Sequence, residues 1–398
     1  MATLVHAGML LAMPGREPQA KQTIAIDNGR VSAVTAGFTA PKADDTLIDL
    51  SDRFVLPGLI DCHVHLTGEL GPHYKMDMVE EDPEAIALHA ARHARVTLEA
   101  GFTTVRDLGE IGGAGKAIFA LKAAVAKGYV PGPRIFAAGS IISPTGGHGI
   151  TCGYRDDINL LLDASGRADG ADGCRHAVRR QVSRGADFIK FVATGGVLTD
   201  TATGTGQQFF DDEYAAIVST AHMLGRKTTA HAHGADGMKA ALKAGVDGIE
   251  HGTFMDGEVM ETMLKRGVFY VPTTLAGTTV AEYARTADFL PPAIRQKALE
   301  SWAPYRRHAA QEPSGGVAHR LRHRHGGFAA WRECARIPAD GSGRHDADAG
   351  DRGGDRHGGR TYRPVRQSRH ARAGQGGRSH RRRQKPARRH QAIARRAL

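Results

Sequence analysis

Apolar and polar residues alternate along the first part of the chain, in a pattern that changes after Pro57. The segment TIAIDNGRVSAV contains two alternating runs around Asn28-Gly29, which predicts a β-hairpin. The opening segment MATLVHAGMLLAMPG has no basic region and only a short apolar run, so it predicts a first strand rather than a signal peptide. We therefore expect residues 1–56 to form a small β unit.

Beyond Pro57, short apolar strands alternate with amphipathic helices, among them 83–101, 211–225 and 234–245. Strands that alternate with helices predict an α/β fold with a parallel sheet, and seven such units in a row predict a (β/α)8 barrel of the TIM type. An eighth strand is expected after a predicted helix at 292–310, but none follows. The seven predicted strands are LIDCHVHL, TTVRDLG, RIFAAGSI, DFIKFVATG, KTTAHAH, GIEHG and VFYVPT.

Polar side chains occur on or just after most of these strands, where a barrel of this type builds its active site. His63 and His65 lie two residues apart on the first strand, so both face the same side. Lys190, His231 and His251 follow on the fourth, fifth and sixth strands. One histidine on an apolar strand is usually a core residue. Four histidines and a lysine at successive strands instead predict a metal site, because imidazole is a common ligand for zinc and related ions.

Taken as an ordered set, these motifs resemble the metal-dependent amidohydrolase superfamily over about residues 1–310, most closely its dipeptidase-like and imidazolonepropionase-like members. The resemblance implies a barrel with a small β-sandwich. It also implies two divalent metal ions, with zinc expected first and manganese, cobalt or iron as alternatives. The implied ligands are His63 and His65 on one metal, His231 and His251 on the other, and Lys190 bridging both as a carbamate formed with CO2. The motifs that carry the resemblance are VLPGLIDCHVHLTG, GFTTVRDLG, ISPTGGHG, DFIKFVATGG, TAHAHG and GVDGIEHG.

Lys190 has a second interpretation, as a lysine that pairs with Asp187 or with a backbone carbonyl. A free ammonium cannot bind a metal, whereas a carbamate is anionic and bidentate. The presence of Lys190 favours the dipeptidase-like branch, since imidazolonepropionases as a family do not depend on this lysine.

Several other polar positions carry weaker hypotheses. His148 and His233 are expected near the metals, either contacting a substrate carboxylate or carbonyl or orienting the ligands. Arg106 and Asp107 are expected to be structural and to pair at the end of their strand. The glycine-rich segment 109–117 lacks the spacing of a phosphate-binding loop and predicts a loop and the start of a helix.

The resemblance implies hydrolysis of an amide bond by a metal-bridging hydroxide. The expected substrates are small amides with a free carboxylate, namely Xaa-Pro or Xaa-Arg/Lys dipeptides or N-acyl amino acids. An imidazolonepropionase-like cyclic amidase is the alternative. The family also uses a strand-eight aspartate in a GTDT-like motif as a proton shuttle. The sequence contains no such motif, so no catalytic residue is assigned.

Basic residues are concentrated in the last part of the chain. The formal net charge is +11, but residues 319–398 carry 22 Lys and Arg against 6 Asp and Glu, whereas residues 1–318 carry 31 and 36. The tail is rich in Arg, Gly and His and shows no helical or strand periodicity. It fits a nucleic-acid-binding tail on an inactive truncated product, a histidine-rich metal tract, or a frameshift in a GC-rich gene. The near absence of lysine disfavours nucleic acid as a partner.

The genetic code favours the frameshift. Beginning one nucleotide into each codon, LRHRHG (321–326) can be read as FGTDT, which restores the missing aspartate. The same shift turns GDRHGGRTYRP (354–364) into ATVTAAELIGL and AGQGGRSH (373–380) into PGKAADLI. These strings match an eighth-strand motif, a late helix and a returning β segment, in the expected order.

The chain is therefore expected to contain a β-sandwich segment at 1–56, a metal-dependent hydrolase barrel at 57–310 and an out-of-frame, disordered tail at 311–398. No apolar run reaches the ~18 residues that span a membrane. This predicts a cytoplasmic protein without a membrane partner, and it leaves a homo-oligomer open. The four cysteines show no paired spacing, which argues against a disulfide framework.

We predict that rereading the gene on both strands will reveal a one-base insertion or deletion at about codons 311–318. The restored frame would carry the strand-eight aspartate. An unchanged frame that yields soluble and fully active protein would contradict the prediction.

Overall fold

Two groups of strands make up the described part of the chain in this computed structural model. Four N-terminal strands form one sheet, and seven later strands run parallel in two further sheets. The predicted tail at 311–398, with its three displaced motifs, lies outside the described residues. The described residues are 1–112, 115–150, 154–155, 157–159, 166–199 and 204–310.

The N-terminal sheet has the order β3-β2-β1-β4, in which β1 is antiparallel to β2 and parallel to β4. The predicted hairpin is confirmed: it joins β2 to β3 through Asn28 and Gly29, whose φ angles are 50° and 73°. Both are positive, as a two-residue type I′ turn requires. The bounds of the strands are β1 Thr3–Leu10, β2 Gln19–Asp27, β3 Arg30–Ala36 and β4 Thr46–Val55.

This sheet is buried along β1 and open along its outer strands. Leu4 and Leu10 of β1 are 6% and 3% exposed, whereas all of β3 is exposed. Val31 on β3 and Phe54 on β4 are 62% and 52% exposed. The described residues thus supply one sheet of the predicted β-sandwich, and its second sheet stays a prediction.

Seven parallel strands form the rest of the fold, and all seven predicted strands are confirmed. They lie in the orders β5-β6-β7 and β11-β10-β9-β8. Ile142 joins the two sheets, since its N–H donates to the Lys190 carbonyl at 2.9 Å and its carbonyl accepts from the Val192 N–H at 3.0 Å. The strands therefore follow one another in sequence order, as in a TIM-type barrel. Their bounds are β5 Leu59–Val64, β6 Phe102–Asp107, β7 Arg134–Ala137, β8 Ile189–Val192, β9 Thr228–Ala232, β10 Gly248–His251 and β11 Phe269–Val271.

Helices alternate with these strands, and one of them, at 257–266, begins and ends at clear signals. The Asp256 carboxylate accepts from the Val259 N–H at 2.9 Å at the start of this helix, and Gly267 ends it with a φ of 69°. No helix in the described residues is long and apolar enough to cross a membrane. The helices are α1 Tyr74–Glu80, α2 Pro83–Glu99, α3 Ala117–Ala126, α4 Gly170–Ser183, α5 Asp211–Met223, α6 Ala235–Ala244, α7 Gly257–Arg266, α8 Thr274–Thr286 and α9 Pro292–Ala310.

Burial along the parallel strands falls toward the two ends of the row. Every residue of β8 and β9 is buried, whereas β11 is only partly buried and β5 is partly buried to exposed. Among the described residues, no strand pairs with the outer edge of β5 or of β11. The predicted eighth strand belongs at this position in a closed barrel.

We predict that the double substitution Val31→Thr/Val34→Thr raises the soluble fraction of the protein, because it reduces an exposed apolar surface. The free energy of unfolding should change by no more than about 0.5 kcal/mol per site. The matched control is Val105→Thr in β6, where the side chain is fully buried. A hydroxyl there should cost about 1–3 kcal/mol. Size-exclusion chromatography and urea denaturation measure both effects, and equal loss of stability in both variants would contradict the prediction.

Candidate metal centre

Six histidines converge at the C-terminal ends of the parallel strands. The His63 ring lies 5.3 Å from that of His65 and 5.0 Å from that of His251, measured between centroids. The His231 ring lies 4.5 Å from that of His251 and 4.0 Å from that of His148. The structure therefore brings together all six histidines predicted from the sequence: His63, His65, His148, His231, His233 and His251.

Lys190 belongs to the same cluster: it lies on β8, which pairs with the strand of His231, and a positive charge on it would lower the pKa of each of these histidines. It lies inside β8, is 2% exposed, and its Nζ has no hydrogen-bond partner among the described residues. Burial lowers the pKa of Lys190 to about 7, although Glu250 opposes the shift. A buried, unpartnered amine is costly and calls for an explanation.

The alternative interpretation of Lys190 as an ion-pair partner of Asp187 is wrong. Asp187 pairs with Lys122, whose Nζ lies 2.6 Å from Oδ2. The same carboxylate also accepts from the Ala137 N–H at 2.7 Å. No described backbone carbonyl accepts from Lys190 Nζ either.

Most of the histidine rings are held through one nitrogen. The Nδ1 of His65 lies 2.7 Å from the Gly109 carbonyl and must donate to it, so in the neutral ring Nε2 keeps its lone pair. The Nδ1 of His63 meets the Glu250 carboxylate at 2.8 Å with the same consequence. Metal-binding histidines typically have this second hydrogen bond, which fixes both tautomer and ring orientation.

Three threonines hold further rings through Nδ1, and nothing in the sequence singled them out. His251 meets Thr273 Oγ1 at 2.8 Å and His233 meets Thr253 Oγ1 at 2.7 Å. His148 bonds to the Thr199 hydroxyl. In His231 it is Nε2 that is buried without a partner among the described residues.

Burial keeps these rings uncharged. It lowers the pKa of His65 and of His148 to about 3 and that of His233 to about 4, with neighbouring positive charges adding to the shift. The pKa values of His231 and His251 fall well below the usual range for the same reason. Neutral imidazole is the form that binds metals, so the cluster has the chemistry of a metal site.

The residue types of the cluster are those that bind divalent metal ions. Their side chains are less close to the geometry of a bound metal. Among the described residues, no three His, Cys, Asp or Glu side chains already surround a common point as a metal site. The two unpartnered buried nitrogens, Lys190 Nζ and His231 Nε2, are nevertheless the atoms that would gain partners from metal binding and carbamate formation.

Arg106 and Asp107 do not pair with each other, so that part of the prediction is wrong. Successive residues of β6 point to opposite sides, and the two side chains have different partners. Arg106 forms an ion pair with Glu250. Asp107 is fully buried and accepts from the N–H groups of Leu66 and Gly109 at 2.7 and 3.2 Å.

Glu250 is the charged residue of the site that the sequence analysis missed. It precedes His251 on β10, and strict alternation would place the two side chains on opposite faces of the strand. His251 has a φ of 70°, which breaks the alternation and allows both to face the cluster. Burial alone raises the pKa of Glu250, but Arg106 and His63 together lower it to about 2, so the carboxylate stays ionised.

A cleft of about 1540 Å³ opens over the histidine cluster. Its volume exceeds the roughly 300–1,000 Å³ of typical small-ligand pockets. It extends from the β5 side, at His63, to Pro272 and Thr273 after β11. Charged residues line it farther out, including Glu69, whose carboxylate lies 3.3 Å from His93.

A parallel α/β fold with converging polar side chains at the strand ends is the arrangement of barrel enzymes. The model for the amidohydrolase family matches residues 54–297. The chain is 31% identical over 289 residues to ochratoxinase from Aspergillus niger, across 68% of this chain and 58% of that protein. A crystal structure of a Xaa-Pro dipeptidase with bound methionine superposes with a TM-score of 0.71 at 39% identity, covering 79% of this chain and 77% of that one. A prolidase complexed with N-methylphosphonate-L-proline superposes with a TM-score of 0.66 at 29% identity, covering 77% and 76%.

The family match covers more than half of the chain, which therefore belongs to the amidohydrolase family. The resemblance seen in the strand motifs is thereby confirmed. Amidohydrolases generally use divalent metal ions. The chain spans 58% of the length of ochratoxinase.

We predict that the metal-free fold loses stability as the pH falls below about 6.5, the pKa of an unperturbed histidine. Unfolded histidines bind protons there, whereas the buried His65, His148 and His233 stay neutral down to their pKa values of about 3, 3 and 4. The unfolded state then holds more protons, so the free energy of unfolding decreases by up to about 1.4 kcal/mol per histidine per pH unit.

Urea denaturation in the presence of a chelator, at several pH values between about 7.5 and 5, measures this slope. His233→Asn should reduce it by close to one proton. A stability that does not change over this window would show that the rings are not buried in their neutral form.

Proposed function

We propose that the protein is a metal-dependent amidohydrolase that cleaves the amide bond of small substrates bearing a carboxylate. The observation that carries the proposal is the buried Lys190 amine, without a partner in the described chain, in a cluster with four histidines on or just after other parallel strands. Neither hydrophobic packing nor an ion pair accounts for it. A metal centre with a carbamate on Lys190 would supply the partners that this amine lacks.

His63 and His65 would hold one metal ion, and His231 and His251 the other. When bound, two such ions supply an activated water and polarise the scissile carbonyl. Zinc is the first candidate, and manganese, cobalt and iron have compatible ligand preferences. The neutral rings and the Nδ1 bonds of His63, His65 and His251 support this assignment, since they leave Nε2 as the coordinating atom.

Lys190 would act as a carbamate. Its neutral amine would attack CO2: a C–N bond forms as one C=O π bond opens, and the nitrogen releases one proton to solvent, so the side chain becomes an anion with two oxygen donors. Burial favours this reaction because it lowers the pKa of Lys190 to about 7 and so makes the neutral amine available near neutral pH. The anion would then balance positive charge placed among neutral imidazoles.

His148 and His233 would contact the substrate. Both line the cleft, and their lowered pKa values keep them neutral. They would therefore donate a hydrogen bond to a substrate carboxylate or carbonyl rather than form an ion pair. Threonine hydroxyls orient both rings.

The substrate class that we propose comprises Xaa-Pro or Xaa-Arg/Lys dipeptides and N-acyl amino acids. Support comes from the likeness to a Xaa-Pro dipeptidase, to a prolidase and to ochratoxinase. The wide cleft has room for substrates of this size. We place the enzyme in the cytoplasm.

The proton shuttle is the part of the machinery that the described chain does not supply. Glu250 and Asp107 are both buried, and their carboxylates already accept hydrogen bonds from the protein. The outer edges of β5 and β11, which pair with no described strand, mark the place of an eighth strand. We propose that this strand and its aspartate are encoded one nucleotide out of frame at 321–326.

We predict that the frame-restored protein hydrolyses at least one of these substrate types with added zinc, manganese or cobalt, and that the chain as written does not. Lys190→Ala should abolish turnover, whereas Lys122→Ala should retain it, since Lys122 pairs with Asp187 outside the cluster. Release of the free amino acid is the readout. Metal-independent turnover, or full activity of Lys190→Ala, would refute the proposal.

A further inference from the structure

The Glu250 carboxylate connects three other strands beneath the histidine cluster. From β10, its Oε2 accepts from His63 Nδ1 of β5 at 2.8 Å. Its Oε1 accepts from the Thr229 hydroxyl of β9 at 2.5 Å and forms an ion pair with Arg106 of β6. The carboxylate is fully buried, so all of these contacts are shielded from water.

We propose that Glu250 and Arg106 form a positioning pair for His63, which holds the proton on Nδ1 and directs Nε2 toward the metal. The proposal rests on the metal centre proposed above. Neither residue contacts substrate in this role, and both act through His63.

His63 needs such support because of where it lies. It belongs to β5, whose outer edge pairs with no strand among the described residues. Arg106 secures the backbone beside it, since Nε donates to the Cys62 carbonyl at 2.7 Å. The guanidinium also lies 5.4 Å from the centre of the Phe188 ring. The His63 ring and the backbone beside it are therefore both restrained, the ring by Glu250 of β10 and the backbone by Arg106 of β6.

His65 provides an internal comparison. Its Nδ1 is held by the Gly109 carbonyl and makes no contact with Glu250. His231 and His251 also have no hydrogen bond to Glu250. Loss of the pair should therefore affect the metal site that includes His63 and leave the site of His231 and His251 nearly unchanged.

The test compares metal binding by the full chain with that of Glu250→Gln and of the double variant Arg106→Met/Glu250→Met. The double variant is included because Glu250→Gln leaves the Arg106 charge buried without a counter-ion, whereas apolar replacement of a whole ion pair often preserves stability. The matched control is Asp247→Asn. Asp247 also accepts from a histidine, His222 at 2.7 Å, but lies at the opposite end of β10.

Chelator competition with zinc, with cobalt spectra as a second readout, gives affinity and stoichiometry. We expect one of the two sites to weaken by about 10–100-fold in both Glu250 variants. Asp247→Asn should bind both metals as wild type does. Unchanged affinity in the double variant, or equal weakening in Asp247→Asn, would overturn the positioning role.

A second measurement separates this inference from the proposed function. ¹⁵N-histidine NMR of the metal-free protein reports which ring nitrogen of His63 carries the proton. We expect the Nδ1–H form in wild type and a mixture of tautomers in the double variant. If wild type bound no metal, the metal centre would fail, and a tautomer unchanged by the double substitution would overturn the positioning pair on its own.

Discussion

The structure depends on burying a neutral polar cluster at the centre of a parallel sheet. Six imidazoles and one amine lie where a barrel interior would otherwise be apolar. Desolvation keeps the imidazoles uncharged and lowers the pKa of the Lys190 amine to about 7. Surrounding groups compensate for part of this cost, since threonine hydroxyls hydrogen-bond to ring nitrogens, and a carbonyl and one carboxylate accept from ring nitrogens. The remaining cost falls on Lys190 and His231, whose buried nitrogens have no partner in the described chain. A site with this imbalance is stabilised by ligands that supply the missing partners.

One ion pair lies beside this cluster of neutral rings. Arg106 and Glu250 are an ion pair that spans β6 and β10, and its desolvation is tolerable because each charge also has hydrogen bonds to other groups. Because Glu250 of this pair is bonded to His63, burying the two charges also fixes the orientation of the His63 ring. The electrostatics of the cluster and the geometry of the edge strand therefore depend on each other.

The periodicity of the sequence was sufficient to find the seven parallel strands and the N-terminal hairpin, because buried parallel strands give short apolar runs and Asn28-Gly29 favours a type I′ turn. The histidines and Lys190 were found because strand ends of successive units converge in space. Local patterns could not reveal partners distant in sequence. His63 and Glu250 are 187 residues apart. Asp187 pairs with Lys122, and Lys190 Nζ has no partner among the described residues.

The sequence by itself determined the fold class, the order of the strands and the residue types that meet at their ends, since these follow from hydrophobic periodicity and from the parallel connection of β/α units. Only the tertiary structure decided which nitrogen of most of the histidine rings is hydrogen-bonded. It also decided that Glu250 faces the cluster and that Arg106 pairs with Glu250 rather than with Asp107. The physical reason is local backbone geometry. The positive φ of His251 departs from regular strand alternation, and no periodic pattern encodes such a departure.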